Sequence, residues 1–118
     1  MEFQTEEKFK GVLNLLREGN PFEAQKEIQN LFVSMIDSKE LSFANRCCNF
    51  WVGSIKRLRD FEDPIERSDI LLNDWKYLQT HTEEEKEIYK SIFFSVQQGF
   101  FSNALENFTK LLDQKDDY

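Results

Sequence analysis

The sequence predicts an all-α fold, because its apolar residues recur every three or four positions along most of the 118-residue chain. β-branched residues alternate with polar ones nowhere, which argues against strands. With four glycines and two prolines, few positions interrupt the helical period. We therefore expect about six antiparallel amphipathic helices in a single domain over residues 1–118.

Six apolar stripes define these helices, which we place at residues 5–18, 21–37, 40–60, 64–79, 83–98 and 101–114. In chain order the stripes are Phe9, Val12, Leu13 and Leu16; Ala24, Ile28, Leu31, Phe32 and Met35; Leu41, Ala44, Cys48, Trp51, Ile55 and Leu58; Ile65, Ser68, Leu72 and Trp75; Ile88, Tyr89, Ile92, Phe93 and Val96; and Ala104, Leu105, Phe108, Leu111 and Leu112. The connections are short, so neighbouring helices should run antiparallel.

Three of the helix starts carry capping signals. In Asn20-Pro21 and Asp63-Pro64, an N-cap residue precedes a proline at the first helical position. Thr82 with Glu85 has the spacing of a capping box, in which each side chain bonds the other's backbone N–H. These signals predict helices that begin near residues 21, 64 and 83.

Two segments of the chain repeat the same spacing of small and apolar residues. The matching residues are Gly19, Ala24, Ile28 and Leu31 in the first segment and Gly99, Ala104, Phe108 and Leu111 in the second. This pattern resembles the second half of a tetratricopeptide repeat. The resemblance implies three stacked α-hairpins, at about 5–37, 40–79 and 83–114, with a closed six-helix bundle as the alternative.

The resemblance also implies a role, because the first helices of such hairpins line a concave groove that binds another protein. Projected onto this chain, the partner-binding residues are Phe9, Leu13, Leu16, Arg17, Phe43, Phe50, Tyr89, Phe93 and Val96. Family members that clamp a C-terminal carboxylate need a Lys and an Asn where this chain has Phe9 and Leu13. The resemblance therefore implies an aromatic and aliphatic groove.

Composition narrows the functional classes. The net charge of −7 argues against nucleic-acid binding. No apolar run is long enough to cross a membrane, and no signal peptide is apparent, so we expect a soluble, cytoplasmic protein. Adjacent Cys47 and Cys48 with a single His81 do not supply a zinc site, and the sequence predicts no cofactor or metal.

The residues favour a non-catalytic protein: an adaptor or small chaperone that holds a protein or peptide segment in an apolar groove. Acidic three-hairpin proteins of this size also resemble small secretion chaperones. The chain has 17 aromatic residues, and the consecutive pairs Phe93-Phe94 and Phe100-Phe101 cannot both face one core. The alternative is a self-assembling module that forms homodimers through these aromatics. A third hypothesis is an enzyme that uses carboxylates with Arg17, Arg46 or Arg57.

Overall fold

A computed structural model describes residues 2–35 and 37–116 of the chain. Met1, Ile36, Asp117 and Tyr118 lie outside the described residues, and with them those positions of the predicted helix 21–37 and of the predicted domain. The described residues form five helices and no strand. The helices are α1 (Glu2–Arg17), α2 (Pro21–Leu31), α3 (Lys39–Leu58), α4 (Pro64–His81) and α5 (Lys90–Asp116). The all-α prediction is confirmed.

Helix α1 ends where the sequence placed a turn. Gly19 has φ +83°, a left-handed conformation that glycine adopts without steric cost, and its N–H bonds the carbonyl of Leu16 at 3.1 Å. Pro21 then begins α2. Helix α2 ends at Leu31, earlier than predicted, and residues 32–34 form turns. At the start of α3, the hydroxyl of Ser38 accepts a hydrogen bond from the N–H of Leu41.

Helix α3 is the central element of the core. Five of the six residues in its predicted stripe are buried, and only Ile55 is half-exposed. Helix α4 starts at Pro64 as predicted, and the carboxylate of Asp63 accepts a hydrogen bond from the N–H of Ile65. Ser38 and Asp63 thus each bond one free N–H group at the start of the helix that follows, α3 and α4 respectively.

The predicted fifth and sixth helices are one helix. Thr82 does not open a capping box: it ends α4, and its hydroxyl donates to the carbonyl of Leu78 at 2.7 Å. Residues 82–89 form successive turns, and α5 then runs through Gly99 without a break. The described residues therefore lack the third hairpin that we predicted at 83–114.

The first and last helices pack against each other. Helix α1 contacts α2 and α5, and α3 contacts α2, α4 and α5. This contact closes the arrangement, as in the bundle alternative, although with five helices. The radius of gyration is 15.5 Å, larger than the roughly 13.5 Å of a compact domain of this length, and the extents are 56 × 27 × 20 Å. None of the described helices is both long and apolar enough to cross a membrane.

Candidate functional site

The predicted partner-binding residues do not form one groove. Leu16, Phe43 and Val96 have no exposed surface, and Phe93 is 9% exposed. The packing of α1 on α5 covers the helix faces that carry Leu16 and Val96. As placed, these four side chains belong to the hydrophobic core, so they offer a partner little or no surface.

Three of the predicted residues do come together. Phe9, Leu13 and Tyr89 line a recess of about 340 Å³. Tyr89 also packs its ring 5.1 Å from that of Phe43, which helps to bury Phe43. Glu40, Glu87 and Lys90 line the same recess, so its surface is mixed in character.

The remaining predicted residues lie apart. Phe50 faces α4, where its ring stacks on that of Tyr77 at 5.3 Å between centroids. Arg17 is exposed, and its guanidinium donates to the hydroxyl of Ser95 at 3.4 Å, across the contact between α1 and α5. Neither residue extends the recess around Phe9.

A more apolar surface lies between α4 and α5, and we call it the α4–α5 groove. Its volume is about 240 Å³, and its lining residues are Ser68, Leu71, Leu72, Phe100, Phe101, Ala104 and Leu105. Buried Phe100 contacts Trp75, with 5.2 Å between ring centroids, and Phe101 lies at the same distance from Trp75. The rings of Phe100 and Phe101, packed on Trp75, thus form the base of the groove.

The groove exists because the first half of α4 is not covered. Trp75 and Leu78 anchor the second half of α4 in the core, whereas no residue from 65 to 73 is buried. The sequence predicted Ile65, Ser68, Leu72 and Trp75 as a core-facing stripe. That prediction is wrong for Ile65 and Leu72, which are 70% and 48% exposed, and Ser68 is half-buried. These side chains face solvent in or beside the groove.

Sequence reasoning missed this site because it assigned the α4 stripe to the core. One signal was available: the consecutive aromatics Phe100-Phe101 cannot both face the same core. Phe100 is buried and Phe101 is 40% exposed. Phe108, Leu111 and Leu112 of the predicted sixth stripe lie outside the residues whose side chains the structure describes.

Two pairs of charged side chains connect neighbouring elements of the fold. Asp74 is buried and accepts hydrogen bonds from Ser54 and Arg57, both at 2.6 Å, which ties α4 to α3. The guanidinium of Arg46 pairs with Glu85, and this contact raises the pKa of Arg46 and lowers that of Glu85. Two of the three arginines considered for catalysis, Arg46 and Arg57, are thus held in ion pairs.

The two thiols are not activated. Burial raises the pKa of Cys47 and that of Cys48 to about 12, so both are protonated at neutral pH. Cys48 donates to the carbonyl of Pro21 at 3.2 Å, as a small core residue. Among the residues whose side chains the structure describes, no group of three or more His, Cys, Asp or Glu could hold a metal ion.

The site is thus an apolar surface between two helices, and the side chains that the structure describes place no cluster of chemically activated groups beside it. Comparison of the chain with protein-family models, with curated proteins and with solved structures gives no match.

Proposed function

We propose that this protein is a non-catalytic interaction module, an adaptor or small chaperone, that holds an apolar partner segment in the α4–α5 groove. The observation that carries the proposal is the exposure of large apolar side chains in and beside this groove. Ile65 is 70% exposed, Leu72 48%, Phe101 40% and Leu105 67%. Contiguous apolar surface of this kind marks interaction sites in proteins.

The energetics support this role. Complete burial of a Leu, Ile or Phe side chain contributes about 1.5–3 kcal/mol. At the exposures observed, covering each of the four side chains would contribute about 0.6–2 kcal/mol. Together they could offset part of the entropy lost on association.

We apply the tetratricopeptide resemblance only to the first hairpin, α1–α2. Hairpin α1–α2 combines a left-handed Gly19 at its turn with buried Ala24, Ile28 and Leu31, as the resemblance implies. We propose that the kinship is to a helical-hairpin scaffold of this type. The proposed function does not depend on it, because the α4–α5 groove lies outside that hairpin. The proposed location is the cytoplasm, where buried, unpaired Cys47 and Cys48 stay reduced.

Capture from extract of the native cells tests the proposal. Leu72→Asp and Leu105→Asp each place a charge in the groove and should remove a partner that the unaltered protein retains. Val33→Asp is the matched control, because Val33 is 89% exposed in the connection between α2 and α3. The proposal fails if both groove variants retain the same proteins as the control, with all variants equally helical by circular dichroism.

The second candidate function is self-assembly through the same surface. Phe94, Phe101 and Leu105 are all exposed and follow one another at spacings of seven and four along α5, which is typical of a helix-pairing face. Sedimentation velocity distinguishes the two functions. A dimer that Leu105→Asp dissociates would favour self-assembly, and a monomer at all concentrations would exclude it.

A further inference from the structure

The loop before α4 and the start of α4 are strongly acidic. Residues 60–69 carry five carboxylates, on Asp60, Glu62, Asp63, Glu66 and Asp69, and all five residues are exposed. The same segment has one cation, Arg67, which is half-buried. Ion pairs within the described part of the chain involve none of these five carboxylates.

Two cations near the end of α3, Arg57 and Arg59, contact residues outside this acidic segment. Arg57 pairs with buried Asp74, and Arg59 lies over the ring of Phe22 at 5.8 Å. Among the side chains that the structure describes, no ion pair therefore neutralises this acidic segment.

Helix geometry places part of this charge beside the apolar surface. Glu66 follows Ile65 directly, and Asp69 lies one turn after Ile65 and one turn before Leu72. On an α-helix, Asp69 lies about 40° from Ile65 and about 60° from Leu72, whereas Glu66 lies about 100° and 120° from them. Asp69 therefore borders the apolar line that enters the groove, and Glu66 lies further round the helix. A ligand in the groove would have one flank beside Asp69, with Glu66 beyond it.

We propose that the partner segment is a basic amphipathic helix, with apolar side chains in the groove and Lys or Arg residues along the flank that faces Glu66 and Asp69. This inference rests on the proposed function and adds the chemistry of the partner. From Ile65 to Leu72 the apolar line is about 10 Å long, which matches about two turns of a bound helix.

Charge argues against the other occupant, a second copy of this chain. Each copy has a net charge of −7, and a copy seated in the groove of another would bring two acidic proteins together. A cationic partner is attracted by the same field, and its association should slow as salt screens that field.

A displayed library of amphipathic helices tests the inference. The apolar stripe is varied among Leu, Ile, Phe and Met, and the flanking positions among Lys, Gln and Glu. Selection uses the unaltered protein, with counter-selection on Leu105→Asp so that retained peptides depend on the groove. We expect retained peptides to be enriched in Lys on one flank.

The affinities of charge variants for the best selected peptide then test whether Glu66 and Asp69 contact its basic flank. The double variant Glu66→Lys with Asp69→Lys should bind the best selected peptide about tenfold more weakly at low salt, since two exposed ion pairs are lost and repulsions replace them. The control, Glu23→Lys with Glu27→Lys, makes the same change in net charge on exposed positions of α2 and should leave affinity within about twofold.

The outcomes separate the two proposals. Groove-dependent peptides with neutral or acidic flanks would overturn the basic partner and leave the docking function standing. Equal loss of affinity in the two double variants would also overturn it, because the effect would then be one of net charge alone. A library without groove-dependent binders would overturn both.

Discussion

At the scale of single residues, two glycines with the same sequence context have different roles. Gly19 and Gly99 occupy matching positions of the repeated pattern, and each lies between two predicted helices. Gly19 does end a helix with a positive φ. Gly99 lies inside α5, where the helix passes so close to the end of α1 that a Cβ atom would stand 1.7 Å from the carbonyl oxygen of Leu16. The sequence shows that a small residue occupies each position, and the packing shows whether a turn or a close helix contact requires it.

Gly99→Ala should therefore destabilise the fold, although alanine favours helix by about 1 kcal/mol. Overpacking typically costs 1–3 kcal/mol, and here the neighbouring atom is backbone, so we expect the free energy of unfolding to fall by about 2 kcal/mol or more. Urea denaturation followed by circular dichroism measures it. Gly53→Ala is the control: a Cβ there meets no atom within 4 Å, and we expect a gain of about 0.5–1 kcal/mol. A stabilised Gly99→Ala protein would contradict the close packing of α1 and α5.

The candidate site shows the same limit of sequence reasoning. Phe9, Leu13 and Tyr89 were predicted to share a surface and do line one recess. Leu16 and Val96, predicted beside them, are buried. Periodicity identifies the apolar face of a helix, but it does not show whether another helix covers that face. For this reason the stripe of Ile65 and Leu72 was read as core, although the structure leaves both exposed.

At the scale of elements, the starts of α2 and α4 were predicted to the residue, whereas the start of α5 was not. Pro21 and Pro64 begin α2 and α4 as predicted, because proline is favoured at the first helical position and disfavoured further in. The predicted break between two helices at 99–100 was wrong, because α5 continues through Gly99. The glycine is needed there for the close packing of α5 on the end of α1. Thr82 was predicted to cap the start of a helix, but its hydroxyl donates to the carbonyl of Leu78 in the last turn of α4. A threonine hydroxyl can make either bond, and the sequence does not distinguish them.

The turn segment 82–89 is fastened to α3 by the ion pair of Arg46 and Glu85, and this gives the element a pH dependence. The guanidinium of Arg46 holds the pKa of Glu85 below its ordinary value of 4.5. The pair therefore stabilises the fold above that value, and its contribution is lost as the pH falls through the lowered pKa.

Glu85→Gln should lower the free energy of unfolding by about 0.5 kcal/mol at pH 7, as for partly exposed ion pairs, and should have little effect at pH 3. Glu84→Gln, at an exposed neighbouring position, should behave like the unaltered protein at both values. Denaturation curves at the two pH values provide the comparison. A deficit in Glu85→Gln that persists unchanged at pH 3 would show that the carboxylate's charge is not its cause.

At the scale of the whole molecule, the fold buries one core and leaves a second apolar surface open. The core is shared by all five helices of the described chain. Trp75 and Leu78 in the second half of α4 are buried in this core, whereas the first half, except Pro64, stays at least partly exposed and forms with α5 the two walls of the groove. The molecule is elongated, with extents of 56 × 27 × 20 Å, and the segment that leads into α4 is acidic. We interpret the open surface as the functional one.

Photo-crosslinking from the groove tests this interpretation most directly. p-Benzoylphenylalanine in place of Leu105 positions the reactive group on the groove wall, and the same residue in place of Val33 or Phe9 samples the α2–α3 connection and the other recess. In native extract we expect a discrete protein adduct from position 105 and none from position 33. Adducts from position 9 alone, or equal adducts from all three positions, would contradict the assignment of docking to the α4–α5 groove.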